Sequence, residues 1–296
     1  MSRVQANGIE IEYEIGGSGD PLLLVMGLGG QLIDWPQSFI DLLEERFQVI
    51  RFDNRDVGLS TEFEWEPPTR AQTMRSLLTR RPPPADYSIT DMATDTVGLL
   101  DALNINSAHV MGMSMGGMIA QAVAIDHPDR VRSLTSVMSN TGDHRSGRPS
   151  KRLLAKMARL GVPTVENAAE LGTEMFSLFA GPTWNRDEHL AMAQAATERS
   201  FRPLGTARQM AAIAASPDRT SGLATVTAPT LVIHGIVDRL VKPSGGIATC
   251  GAVPGSRLLM YPDMGHDLPA PRRREMVAAI AMNAAAAPAH TSGAPS

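Results

Sequence analysis

Residues 108–120 read Ala108-His-Val-Met-Gly-Met-Ser-Met-Gly-Gly-Met-Ile-Ala120, and the architecture follows from this stretch. A short apolar run, Ala108 to Met111, enters Gly112-Met113-Ser114-Met115-Gly116, and an apolar, helix-forming run, Met118 to Ile125, leaves it. The pattern is strand, sharp turn, helix, with a serine at the apex. So tight a turn needs small residues two positions either side of the serine. Gly112 and Gly116 meet that need, and Gly117 lets the helix pack close to the sheet. Ser114 Oγ is lifted clear of the backbone, and the N–H of Met115 and the positive end of the helix point at whatever Ser114 attacks. The pentapeptide alone is a weak signal, which the flanking strand and helix strengthen.

A serine so placed needs a base to take its proton and a carboxylate to orient that base, in the chain order Ser, Asp or Glu, His. Ala228-Pro-Thr-Leu-Val-Ile-His-Gly235 reads as a strand, and Asp238 follows its carboxyl end, where open α/β sheets carry their sites. Ser256 to Tyr261 reads as the next strand, and Pro262-Asp-Met-Gly-His-Asp267 is the loop after it. The assignment is Ser114 as nucleophile, His266 as general base and acid, and Asp238 as orienter.

Seven histidines compete for the base. His109 begins a strand, His127 ends a helix, His144 and His189 lie in the irregular middle, His290 is in the tail, and His234 suits a hydrogen-bonded strand position. Among carboxylates, Asp263 and Asp267 sit too close to His266 in sequence to support its ring easily. Asp143, after the strand that follows the elbow helix, is the main rival of Asp238. An ester hydrolase also needs two donors for an oxyanion. Met115 N–H is one. The loop Gly27-Leu28-Gly29-Gly30, after the strand Pro21 to Met26, offers Leu28 N–H as the other.

These residues resemble the α/β-hydrolase family over nearly the whole chain. Asp53-Asn-Arg-Asp-Val-Gly-Leu-Ser60 is similar to that family's D-x-R-G-x-G-x-S turn. Two departures stand out: Met26-Gly27 where the family often has His-Gly, and Asp56 where it usually has Gly. Both are similar to the pattern of the aclacinomycin methylesterases, esterases of polyketide tailoring. The Met26 change leaves the backbone donors in place and removes the usual bracing of the oxyanion loop.

Composition agrees with a soluble enzyme: 43% apolar residues are enough for a sizeable core. The formal charge of −4, from 27 basic and 31 acidic residues, speaks against nucleic acid as a partner. Cys250, the single cysteine, leaves no internal disulfide. Met1 to Glu14 carries no secretory signal, and no stretch reaches membrane-spanning length. The expected location is cytoplasmic. Neither a zinc-type Cys/His cluster nor a phosphate-binding loop is present, and no metal or cofactor is expected.

Strands alternating with helices predict an α/β fold, a mainly parallel sheet with helices on both faces. The alternation of Ile9, Ile11, Tyr13 and Ile15 predicts a half-buried strand from Gly8 to Ile15. Asp34-Trp-Pro-Gln37 predicts a helix start with Asp34 as cap. Residues 61–88 read as a long loop with one helix at Arg70 to Thr79, and Thr90 to Leu103 as an amphipathic helix. Residues 140–226 break the alternation with helix-like runs (150–160, 165–179, 187–198, 207–215). They read as a helical cap inserted between core blocks 1–139 and 227–283 and lying over Ser114. Met157, Met175, Phe176, Phe179, Trp184, Met192 and Met210 are candidates for an apolar pocket, although each also fits packing of cap onto core. Met113, Phe176 and Trp184 are the expected substrate contacts. Residues 284–296 read as a disordered tail.

The expected function is a serine carboxylic-ester hydrolase acting on small to medium apolar esters, with a small-molecule ester as its partner. Carbon–carbon bond hydrolases and perhydrolase-type haloperoxidases keep the same triad and stay open. Haloalkane dehalogenases and epoxide hydrolases place Asp at the elbow, against Ser114. A ligand receptor on a hydrolase fold is the alternative outside enzymes.

Overall fold

The computed structural model describes residues 1–69, 72, 75 and 81–288. Eight strands form one sheet: β1 (Ser2–Ala6), β2 (Ile9–Gly17), β3 (Asp20–Val25), β4 (Phe47–Phe52), β5 (Ala108–Met113), β6 (Val131–Val137), β7 (Thr230–Gly235) and β8 (Arg257–Tyr261). Their order is β1-β2-β4-β3-β5-β6-β7-β8, antiparallel at β1–β2 and β2–β4 and parallel elsewhere. Along β3 the side chains alternate between two cores. Leu22 and Leu24 join one, Leu23 and Val25 the other, as a strand covered on both faces demands.

Each core is closed by helices. On one face, α1 (Gln37–Glu44) brings Phe39, Ile40 and Leu43, and the C-terminal helix α10 (Arg273–Ala285) brings Met276, Val277 and Ile280. On the other, α2 (Ile89–Ala102) and the elbow helix α3 (Met115–Asp126) pack together. Ser88 caps α2 by accepting Asp91 N–H while the Asp91 side chain accepts from Ser88, which adds about 1 kcal/mol. Every residue of α3 from Met115 to Ala124 is buried, so its position under β5 is tightly set.

Between β6 and β7 lie α4 (Lys151–Met157), α5 (Ala168–Ser177), α6 (Arg186–Arg199), α7 (Pro203–Ala215) and α8 (Thr220–Leu223). Helix α9 (Ser244–Ala252) connects β7 to β8. Among the described residues no helix is long and apolar enough to cross a membrane.

Several expectations are corrected. Strand β1 was not expected; it pairs antiparallel with β2 at the sheet edge. In β2 the alternation fails after Ile11: Glu12 is buried, held by Arg3 at 2.8 Å, and Ile15 is 40% exposed. Asp34 does not cap α1. It ends a short 3-10 turn, Leu32–Asp34, and accepts Gln31 N–H at 2.7 Å, while Pro36 precedes the first residue of α1. Helix α7 starts four residues before the expected run because Pro203 fits its first position. Helix α10 runs two residues into the stretch expected to be disordered, because Ala284 packs into the core. The helix expected at 70–79 lies outside the described residues, Gln72 and Arg75 apart, and residues 289–296 lie outside them too.

Candidate active site

Ser114 sits between β5 and α3 with φ 56° and ψ −117°, a conformation that costs about 1–3 kcal/mol for a residue with a Cβ. The surroundings leave it no other choice. Ser114 N–H donates to Val137 O at 2.9 Å, and Ser139 Oγ donates to Ser114 O at 2.7 Å. A Cβ on Gly112 would run into the carbonyl of Gly116, and one on Gly116 into the carbonyl of Val25. The two glycines are therefore what lets helix, turn and neighbouring strand meet at this point. Met115 N–H, at the first position of α3, belongs to the donors that a helix start leaves without an internal acceptor.

The loop after β8 delivers His266. Its Nε2 stands 2.9 Å from Ser114 Oγ, and its Nδ1 2.7 Å from Asp238 Oδ2. A carboxylate at Nδ1 holds the proton there and leaves Nε2 as the acceptor of the serine hydroxyl. Asp238 and His266 are 3% and 7% exposed, so little water competes for these bonds. Asp238 Oδ1 accepts Leu240 N–H and Val241 N–H, both at 2.9 Å. His234 lies behind this turn and its Nε2 donates to Val241 O at 2.8 Å. Burial lowers the pKa of His234, which keeps that ring neutral and out of competition for the Asp238 charge.

The rival carboxylates are otherwise engaged. Asp143 Oδ1 accepts from the backbone of Arg145 and Ser146 within its own loop. Asp263 pairs with Arg272 at 3.0 Å. Asp267 accepts Gly265 N–H at 2.8 Å and Gly181 N–H at 3.1 Å, which pins the His266 loop to the inserted segment.

The Gly27–Gly30 loop lies directly beside the serine: a Cβ on Gly27 would stand 3.3 Å from Ser114 Cβ. Met26 contributes no polar brace, but other groups do. Asn54 Nδ2 donates to Met26 O at 3.0 Å, Asp53 Oδ1 accepts Leu32 N–H at 2.7 Å, and Gln209 Oε1 accepts Gly29 N–H at 2.9 Å. Asp56 has φ 72°, which explains why glycine suits this place; Asp is among the residues that tolerate it. Its carboxylate pairs with Arg208 at 3.0 Å and accepts the Tyr87 hydroxyl at 2.6 Å.

Phe179 sets the inserted segment against the His266 ring. Its ring meets the His266 ring edge-on at 5.8 Å, and its carbonyl accepts His266 N–H at 2.9 Å. Phe176 and Trp184 stand one layer back: Phe176 packs on Phe179 at 5.3 Å, on Trp184 at 6.1 Å and on His189 at 4.3 Å. Burial lowers the pKa of His189, so the ring stacked on Phe176 is neutral near pH 7. Met113 ends β5 next to Ser114, half-buried, and its carbonyl faces Gly27. Met210 is 51% exposed.

A serine on a strand–helix elbow, a histidine and a carboxylate from the ends of later strands, and a glycine loop beside the serine form one arrangement. Residues 20–176 match the family model described as the α/β hydrolase fold. The chain belongs to the α/β-hydrolase fold family. This α/β-hydrolase is 30% identical to rhodomycin D methylesterase DauP of a Streptomyces species, over 92% of this chain and 94% of that protein. It is 31% identical to a 2-hydroxy-6-oxononadienedioate/2-hydroxy-6-oxononatrienedioate hydrolase of Pseudomonas putida, over 59% of this chain and 61% of that protein. The meta-cleavage product hydrolase CumD from Pseudomonas fluorescens shares the fold, with a TM-score of 0.73 at 20% identity, over 96% of this chain and 97% of that one. Within this α/β-hydrolase, sequence reasoning missed Gln209, Asn54 and Arg199, which pairs at 2.8 Å with the buried Asp53. For Asn54 a signal existed in its place beside Asp53; Gln209 and Arg199 lie on helices whose polar residues read as ordinary surface.

Proposed function

We propose that this hydrolase is a serine carboxylic-ester hydrolase working through an acyl-enzyme. The observation that carries the reading is the continuous hydrogen-bond chain Ser114 Oγ, His266 Nε2, His266 Nδ1, Asp238 Oδ2, at 2.9 and 2.7 Å. His266 takes the Ser114 proton as Oγ attacks the ester carbonyl. Leu28 N–H and Met115 N–H receive the developing oxyanion. His266 then hands its proton to the leaving alcohol. Water, deprotonated by the same ring, attacks the acyl carbon and releases the acid and Ser114. Asp238 keeps the ring in the right tautomer and balances the imidazolium charge.

Residues 140–226 serve as the cap of this reading, and small to medium apolar esters are the substrate class. Support comes from the apolar wall that Phe179 sets against His266, with Phe176 and Trp184 behind it. Met113 lines the serine side. The similarity to a methylesterase brings methyl esters into the same class.

The deciding experiment is reaction with a fluorophosphonate, followed by peptide mass spectrometry, alongside turnover of p-nitrophenyl acetate, p-nitrophenyl butyrate and a set of methyl esters. The expected result is a single adduct on Ser114 and hydrolysis of several of the esters. No adduct and no ester turnover would sink the reading. Turnover confined to vinylogous diketones or to peracid formation would move it to carbon–carbon hydrolysis or perhydrolysis on the same residues.

A further inference from the structure

We propose that Gln209, on the inserted helix α7, is a positioning residue that sets the oxyanion loop. Through it the inserted segment acts on the chemical step as well as on substrate fit. The inference rests on the ester-hydrolase reading above. Residues 27–30 form no regular structure, so the direction of each peptide plane depends on what its N–H finds to bond. Gly30 N–H bonds back to Gly27 O at 3.2 Å, and Gly29 N–H bonds to Gln209 Oε1 at 2.9 Å. These two bonds bracket Leu28, whose N–H is the proposed donor.

Gln209 is fully buried and both ends of its amide are used. Nε2 donates to Arg55 O at 2.7 Å while Oε1 accepts from Gly29. Turning the amide over would set N–H against N–H and oxygen against oxygen, so its orientation is locked. Gly29 has φ 70°, and a Cβ there would lie 2.9 Å from Thr206 Oγ1, so α7 sits directly on the loop. A few residues on, Gln31 Nε2 donates to Ala196 O at 2.7 Å and Ser200 O at 3.0 Å, and Arg199 Nη1 donates to Gln31 Oε1 at 2.7 Å. Helices α6 and α7 therefore grip the loop at Gly29 and just beyond it at Gln31, and Asn54 holds its start through Met26 O from the core side. Without the Gln209 acceptor the Leu28–Gly29 peptide is free to rotate, and the donor next to it loses its aim. Oxyanion stabilisation depends on donors preset before charge develops, so the loss falls on the transition state more than on the bound ester.

The test compares Gln209→Met, which keeps the length and removes both bonds, with Gln209→Glu, which keeps the acceptor. Active sites are first counted by fluorophosphonate titration, so that a merely structural loss shows as fewer sites. Gln209→Met is expected to lose about 10–100-fold in kcat per titrated site, less than deletion of an oxyanion donor outright, with KM within about threefold. Affinity for a trifluoromethyl ketone, whose serine adduct carries an oxyanion, should fall by the same factor as kcat/KM. Gln209→Glu should keep more of the rate than Gln209→Met. Relative to the parent it should lose rate as pH rises, because an ionised carboxylate faces the Arg55 carbonyl. A Met variant within twofold of the parent per site, or one changed in KM alone, overturns the proposal. If the Met variant does not fold, a Glu variant with a flat rate ratio across pH overturns it. A parent inactive on every ester removes the ester-hydrolase reading separately. Amide exchange over residues 27–34 then decides the role of Gln209: faster exchange in either variant upholds it, and unchanged exchange overturns it.

Discussion

Asp238 presents Oδ2 to His266 Nδ1 at 2.7 Å and Oδ1 to its own turn, where Leu240 and Val241 donate at 2.9 Å. The carboxylate is fixed at both oxygens, and it fixes the histidine in turn. Asp238→Asn is isosteric but offers N–H where His266 needs an acceptor. The proton then moves to Nε2, which no longer accepts from Ser114. The expected loss in kcat is about 10⁴-fold, the loss a wrong tautomer brings in serine triads. Asp143→Asn should stay within about twofold, because that carboxylate serves only its own loop. Rates on p-nitrophenyl butyrate check both, and the reverse pattern would show that the carboxylate is misassigned.

The strain at Ser114 predicts a stability effect separate from activity. Ser114→Ala removes the hydroxyl and keeps the Cβ at φ 56°. Ser114→Gly removes both. Relief of about 1–3 kcal/mol outweighs the roughly 0.5–1 kcal/mol of extra chain entropy that glycine loses on folding. Neither variant should turn over ester, and the Gly variant should be the more stable by about 1 kcal/mol in urea unfolding. Equal stability would mean that the elbow stores no usable strain.

Phe179 rather than Phe176 or Trp184 touches the His266 ring, and this orders the effects on selectivity. Phe179→Leu should shift kcat/KM between butyrate and acetate esters the most. One methylene in an apolar pocket is worth about 1–3 kcal/mol, so a shift of tenfold or more is expected. Phe176→Ala should act in the same direction through Phe179, with a smaller effect, and Trp184→Ala with the smallest. Fluorophosphonate labelling should stay near the parent rate, since the elbow and the Phe179 carbonyl remain. An unchanged ester ratio in all three would put the acyl pocket elsewhere.

His109, buried in β5 and bonded through Nδ1 to Ser133 Oγ at 2.8 Å, has its pKa lowered from 6.5 to about 4, chiefly by burial, with Arg132 adding to it. Between those values the unfolded chain binds more protons than the folded one. Stability from this group is therefore complete above about pH 6.5 and is lost as pH falls towards 4. The difference is on the order of 3 kcal/mol. Asp34 opposes it, because burial raises its pKa to about 6 and stability falls as pH rises from 4 to 6. His109→Gln should leave a downward slope over pH 4–6 and Asp34→Asn a steeper upward one than the parent. Urea midpoints across that range measure both. Identical slopes in parent and His109→Gln would show that the imidazole does not titrate with folding.

Much of the frame was legible because its causes are local. The elbow is a steric demand met by Gly112, Ser114 and Gly116 within five residues, and strands β3 to β8 announce themselves as apolar runs. Reading failed where a partner outside the periodic pattern changes what a residue wants. Glu12 occupies an expected polar face yet is buried because Arg3 pairs with it, and Arg199 lies 3.9 Å away. Asp34 looked like a cap for α1 and instead serves Gln31. Asp56 departs from the usual glycine because Arg208 and Tyr87, far along the chain, need its carboxylate.

Short-range sterics and hydrophobic period carry the elbow and the α/β alternation, and the order of serine, aspartate and histidine is read directly along the chain. Long-range folding set Asp238 rather than Asp143 within 2.7 Å of His266, brought Phe179 rather than Phe176 to that ring, and put Gln209 on the Gly27–Gly30 loop. Gln209 and Gly29 lie 180 residues apart, and each is a common residue in an unremarkable setting. Their bond exists because α7, between β6 and β7 in the chain, returns to the loop after β3, and no pattern inside either segment encodes that return.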